Sequence, residues 1–158
     1  LNSANTGVSY FNNASLEVEP FSFNAKRTSS SFTSGSTGDP VIFNSEIHDH
    51  GGNYDTSSGQ FTVPVSSTYT LSTNLSLAAA SARTVSVAIV ASSSGTLASA
   101  FLNQALNSSS TNDDQSVSLT VASADLVKGE TVEVKLYWDV NAPPVDADYS
   151  FFSGRKIS

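Results

Sequence analysis

From Tyr69 to Leu77 the chain sets Tyr69, Leu71, Thr73, Leu75 and Leu77 on one side of an extended backbone and Thr68, Thr70, Ser72, Asn74 and Ser76 on the other. Side chains that alternate with a period of two describe a strand with one buried face. The same period recurs where Val85, Val87 and Ile89 alternate with Thr84 and Ser86, and where Val117, Leu119 and Val121 alternate with Ser116, Ser118 and Thr120. It returns where Val132, Val134, Leu136 and Trp138 alternate with Glu133, Lys135 and Tyr137. One-sided burial belongs to antiparallel sheets. It predicts an all-β chain in which the hydroxyl face of the first segment is solvated, Trp138 points inward and Tyr137 points outward.

At 158 residues the chain can bury one sizeable core, which predicts a single domain. Cysteine and methionine are absent, which excludes a disulfide framework, a thiol nucleophile and a zinc-thiolate site. Stability must therefore come from packing or from oligomerisation. Charged residues make up 13%, about half the ordinary share of roughly 25%. The 31 serines and 14 threonines make the polar surface mostly hydroxyl. With a net charge of -7 and seven Lys and Arg in no run longer than two, the chain has no electrostatic footprint for nucleic acid or an anionic bilayer. No run approaches the roughly 20 apolar residues of a membrane-spanning helix. Lacking an initiator Met and a signal pattern, the sequence reads as a mature, processed chain. Asn-x-Ser acceptors at Asn13, Asn74 and Asn107 fit a secretory route.

Residues 97 to 106, LASAFLNQAL, break the pattern: they are good helix formers, and their apolar positions also fit a helical period. Propensity alone makes this segment a helix. Leu1 to Pro20 are Asn- and Ser-rich with few apolar positions and read as an N-terminal extension ahead of a domain over 21–158.

Between Val41 and Tyr69, strand residues alternate with Gly, Asn, Asp and Pro turns in one order: Val41 to Asn44, Gly51, Tyr54, Asp55, Gly59, Phe61, Thr62, Pro64, Tyr69. Phe23, Ala25 and Arg27 precede this run. Leu126, Gly129, Val132, Val134, Phe152, Ser153 and Gly154 follow it. In order and spacing these marks resemble the complement C1q globular-head family, over roughly Phe21 to Ser158. Asp49, Ser67 and Arg155 depart from its usual pattern. The resemblance implies a ten-stranded jelly-roll sandwich, similar to tumour necrosis factor ligands, that forms a trimer of identical chains or of related chains. It also implies a strand over 97 to 106. The marks have plain physical reasons: Gly51, Gly52 and Gly59 suit turns of positive φ, and Phe61, Tyr69 and Phe152 are large apolar groups for core or interface.

With strands committed to packing, function falls to loops. If the C-terminus lies at the base of the jelly roll, residues 78–83, 107–114 and 140–148 share the opposite end. The resemblance implies binding of ligands, and sometimes calcium, at that end or in the groove between subunits near it. The loops hold Arg83, Asn112, Asp113, Asp114, Asp139, Asn141, Asp146 and Asp148, with Tyr137 beside them. Asp, Asn and Arg recognise sugar hydroxyls by hydrogen bonding, and an aromatic ring covers the apolar face of a pyranose. Asp and Asn also form ordinary turns. Asp113 with Asp114, or Asp146 with Asp148, offer oxygen ligands of the kind calcium takes, without the density of a recognised calcium loop. No cofactor is expected.

His48 and His50 flank Asp49 and on a strand share a face, a metal-ligand spacing without an evident third ligand. A polar turn accounts for the same residues. No nucleophile elbow or phosphate-binding Gly loop occurs, so no enzyme is expected. Stand-alone mollusc-type relatives imply a secreted, lectin-like pattern-recognition protein of innate immunity that binds N-acetylated sugars or sialic acid, with avidity from the trimer. The alternative is a cytokine-like or synaptic-organiser-like ligand for a protein receptor.

Overall fold

The alternating segments resolve into ten strands and no helix among the described residues of the computed structural model, which are 21–28, 37–77, 84–102, 115–139, 145, 147 and 149–157. In chain order these are β1 (Ser22–Lys26), β2 (Ser45–His50), β3 (Tyr54–Asp55), β4 (Gln60–Thr62) and β5 (Ser67–Leu77). After them come β6 (Val85–Ala91), β7 (Gly95–Leu102), β8 (Gln115–Leu126), β9 (Thr131–Trp138) and β10 (Phe151–Lys156). They form two five-stranded sheets, β2-β1-β10-β5-β8 and β3-β4-β9-β6-β7. Every named strand pair is antiparallel. This is the jelly-roll sandwich that the resemblance implies.

The inner faces carry the predicted apolar series. Leu71, Leu75 and Leu77 face Val87, Ile89, Val134 and Leu136, all fully buried. Trp138 packs on the edge of the core, and Tyr137 points outward. Phe23 is the hinge of the core: it stacks on Phe61 at 4.5 Å and Tyr54 at 5.1 Å from the opposite sheet, and meets Phe152 edge-on at 4.9 Å. Gly154 stands between Phe23 and Leu71 in register. A Cβ there would lie 2.6 Å from the Phe23 ring and 2.9 Å from Leu71, so the aromatic cluster depends on a bare backbone at that point.

The outer face of β5 is less wet than its hydroxyls suggest. Ser76 is buried, and Thr68, Thr70, Ser72 and Asn74 are half-buried, because short side chains on a central strand sit below their neighbours. They bond sideways instead. Thr68 donates to Asp125 at 2.7 Å, and Thr70 donates to the Ala122 carbonyl at 2.9 Å.

Residues 97 to 102 are strand, not helix. Hydrogen bonding to β6 and burial of Ala98, Ala100 and Leu102 against the core outweigh a helix preference of a few tenths of a kcal/mol per residue. Residues 103 to 106 lie outside the described residues.

Two turns rest on carboxylates. Asp55 accepts bonds from the Ser57 N–H and the Ser57 and Ser58 hydroxyls, which lower its pKa to about 2. That turn ends at Gly59, φ +74°, where a Cβ would lie 2.8 Å from the Val41 carbonyl oxygen. Gly51 and Gly52 also adopt positive φ, as expected of them. Buried Glu130 accepts bonds from the N–H groups of Ser93, Ser94 and Val127, tying the β6–β7 turn to the β8–β9 turn.

A candidate carbohydrate site on the outer face of the second sheet

Pairing of Leu77 with Gln115 and with the isolated bridge residue Val145, and of Val85 with Trp138 and Leu102, gathers five strand ends at one end of the sandwich. These ends lead into residues 78–83, 103–114 and 140–144. Arg83, Asn112, Asp113, Asp114, Asn141, Asp146 and Asp148 lie outside the described residues, as do Asn13 and Asn107. Tyr137 and Asp139 are described, and they sit together.

Ser86 on β6 pairs in register with Tyr137 on β9 and with Phe101 on β7. Because all three point to the outer face, two aromatic side chains flank a serine, their backbones about 10 Å apart by two strand spacings. Phe101 is 70% exposed and Tyr137 is 37% exposed. With Thr84, Trp138 and Asp139 they line an open depression of about 190 Å³. The arrangement offers apolar ring faces beside hydroxyl, phenol and carboxylate groups. That is the chemistry of a pyranose, which has one apolar face and a rim of hydroxyls.

Tyr137 is positioned by the segment that runs along β9. Gly38 N–H donates to the Leu136 carbonyl at 2.9 Å, and Val41 N–H donates to the Val134 carbonyl at 2.7 Å. Thr37 Oγ1 accepts from the Trp138 N–H at 3.0 Å. Gly38 has φ +88°, and a Cβ there would lie 2.9 Å from the Tyr137 ring. Gly38→Ala is therefore expected to cost about 1–2 kcal/mol through left-handed strain and to displace the Tyr137 ring, read as a lower denaturation midpoint with a shifted tyrosine fluorescence.

The remaining sequence candidates have other surroundings. His48 and His50 share a face, their ring centroids 5.4 Å apart. Asp49 turns the other way and accepts the Tyr54 N–H at 2.8 Å, which makes it a turn former. No group of three His, Cys, Asp or Glu residues converges among the described residues. Asn74 lies mid-strand on β5, its amide donating to the Tyr149 carbonyl at 2.6 Å and accepting from Ser118 Oγ at 2.7 Å. A glycan on that nitrogen would crowd the neighbouring strands.

Phe101 is the site residue that sequence reasoning missed. Its signal was present: once Ala98, Ala100 and Leu102 are read as inward strand positions, Phe101 is an outward aromatic. The helical period of the same segment hid it.

Two antiparallel five-stranded sheets in this order define a jelly roll shared by complement and tumour necrosis factor-like domains. The chain belongs to the C1q domain family, whose model matches residues 22–155. Among solved structures it is similar to the globular domain of zebrafish complement 1qA protein, at 21% identity and a TM-score of 0.69, covering 87% of this chain and 98% of that one. It is also similar to murine APRIL, at 12% identity and a TM-score of 0.67, covering 88% of this chain and 100% of that one. A third similar structure is the Eiger TNF of S. frugiperda, at 13% identity and a TM-score of 0.65, covering 88% and 93%. At these identities the likeness is one of fold. No curated protein matches the chain.

Proposed function

We propose that this chain is a secreted, non-enzymatic, lectin-like pattern-recognition protein of innate immunity that binds N-acetylated sugars or sialic acid. The observation that carries this reading is the depression between Tyr137 and Phe101, with Ser86 on its floor and Asp139 at its rim. Family membership supports a ligand-binding role. The site is shallow, so one copy binds free sugar weakly and a trimer gains affinity by engaging clustered glycans. Self-association is supported by Ile47, Tyr149 and Phe151, exposed by 58%, 67% and 36% on the outer face of the first sheet. Calcium, if it takes part, falls to the loop carboxylates Asp113, Asp114, Asp146 and Asp148.

A glycan array probed with the native oligomer tests the reading, with and without chelator, and with N-acetylglucosamine, N-acetylgalactosamine and sialic acid as competitors. Phe101→Ala and Tyr137→Ala are each expected to weaken binding roughly fivefold to tenfold per site, since ring stacking contributes on the order of 1 kcal/mol. Array binding that survives both substitutions would remove the site. An array without binding, together with one stoichiometric protein partner that is insensitive to deglycosylation, would transfer the function to a receptor ligand.

A further inference from the structure

The outer face of the second sheet carries the Tyr137 depression and lies across the sandwich from Ile47, Tyr149 and Phe151. An oligomer built on those three residues therefore leaves it open. On this face β9 presents Glu133, Lys135 and Tyr137 between the buried Val132, Val134 and Leu136. Lys135 precedes Tyr137 by two positions, about 7 Å along the strand. Among the described residues it is the one base on this face. The others, Lys26, Arg27, Lys128, Arg155 and Lys156, lie on strands of the first sheet or directly after them.

That base is already engaged. Lys135 Nζ pairs with one oxygen of the Glu133 carboxylate at 3.0 Å, and Gln60 Nε2 donates to the other oxygen at 2.9 Å. The carboxylate is thus held from two strands. The bond to Glu133, with Tyr137 and Asp39 adding to it, keeps the Lys135 ammonium above its ordinary pKa. The depression itself is lined by an acid, Asp139, and by aromatic and hydroxyl groups. An exposed ion pair adds little to stability, but this one occupies the cation that a ligand's carboxylate would need.

We propose that the Glu133–Lys135 pair makes the Tyr137 depression selective for neutral N-acetylated hexosamines and closes it to sialic acid and other carboxylated sugars. The selectivity presupposes that the depression binds carbohydrate. A neutral sugar meets ring faces, the Ser86 and Tyr137 hydroxyls and the Asp139 carboxylate, with no charge to compensate. The carboxylate of an acidic sugar meets Asp139 as a like charge and finds Lys135 taken by Glu133. Glu133 acts through Lys135 and does not touch the sugar.

Binding of the native oligomer to two conjugates of equal valency, one bearing N-acetylglucosamine and one bearing sialic acid, tests this. The neutral conjugate is expected to bind and the sialylated one to bind at least about fivefold more weakly, the effect of one uncompensated like charge at this range. Glu133→Gln keeps an acceptor for Gln60 and releases Lys135. It is expected to strengthen binding of the sialylated conjugate about fivefold and to leave the neutral one unchanged. Adding Lys135→Gln is expected to abolish the gain, which a merely structural effect of the first substitution would not explain. Sialylated binding by the unaltered protein that equals or exceeds neutral binding would overturn the selectivity and leave the carbohydrate reading standing, whether or not the variants fold. A Glu133→Gln protein with wild-type preference would overturn the role of the pair. Failure of both conjugates to bind would overturn the selectivity together with the carbohydrate reading.

Discussion

Phe23→Ala is expected to lower the free energy of unfolding by about 3–5 kcal/mol, the usual cost of truncating a buried phenylalanine. Phe23 is 1% exposed and sits where three rings meet, two of them from the opposite sheet. Its loss removes apolar transfer energy and leaves a cavity that cannot close without moving one sheet toward the other, because Tyr54 is fixed by its hydroxyl donating to the Phe43 carbonyl. For a chain of this length the midpoint of thermal unfolding should fall by roughly 10 °C. Equilibrium denaturation in urea measures the effect directly. A change below about 1 kcal/mol would show that Tyr54, Phe61 and Phe152 repack without it, and the account of the core given above would be wrong.

The second large effect belongs to Glu130→Ala, expected at about 2–4 kcal/mol. Glu130 is 4% exposed. Truncation strips the acceptor from three backbone N–H groups at once, those of Ser93, Ser94 and Val127, and each unsatisfied group costs about 1–3 kcal/mol when water cannot replace the partner. Glu130→Gln keeps an acceptor for Ser93 and Ser94 and loses the Val127 bond, so it should cost less. Burial pushes the Glu130 pKa up, but the bonds from Val127, Ser94 and Ser93 outweigh burial and hold it below the usual carboxylate value. A depressed folded pKa contributes stability that is present above the unfolded value of about 4.3 and is lost as pH falls through the folded value. Asp55, held at about 2 by its serine partners, acts in the same direction. Unfolding midpoints measured between neutral pH and pH 2 should decline in acid, and the decline should be shallower in Glu130→Gln. Parallel acid limbs for the two proteins would refute the role given to this carboxylate.

Much of the fold was legible because burial on one face of a strand leaves a period of two that no other element reproduces. The runs beginning at Tyr69, Val85, Val117 and Val132 are strands with the inward residues that alternation assigns. Two features escaped it. The segment from Leu97 to Leu102 is locally compatible with a helix, and only its pairing with β6 decides otherwise. Solvation of the β5 hydroxyls was overestimated, because alternation states which face a residue takes and not how deep that face lies between neighbouring strands.

Half of the candidate site could be read from the chain. Tyr137 beside Asp139 is a local fact of one stretch of chain. Phe101 stands 36 positions earlier in the sequence, and its approach to Tyr137 depends on both strands pairing with β6 in one register. Gly38, which positions the Tyr137 ring, comes from a still earlier turn.

By itself the sequence determined antiparallel strands with one buried face, no thiol chemistry and a hydroxyl-rich surface, because composition and periodicity are local properties; the two-sheet sandwich came from its resemblance to the family. Only the tertiary structure decided which outward residues stand side by side: Phe101, Ser86 and Tyr137 on one sheet, and His48 with Asn24 on the other. The physical reason is that side-chain direction is set within a strand, whereas side-chain neighbours are set by register between strands distant in sequence.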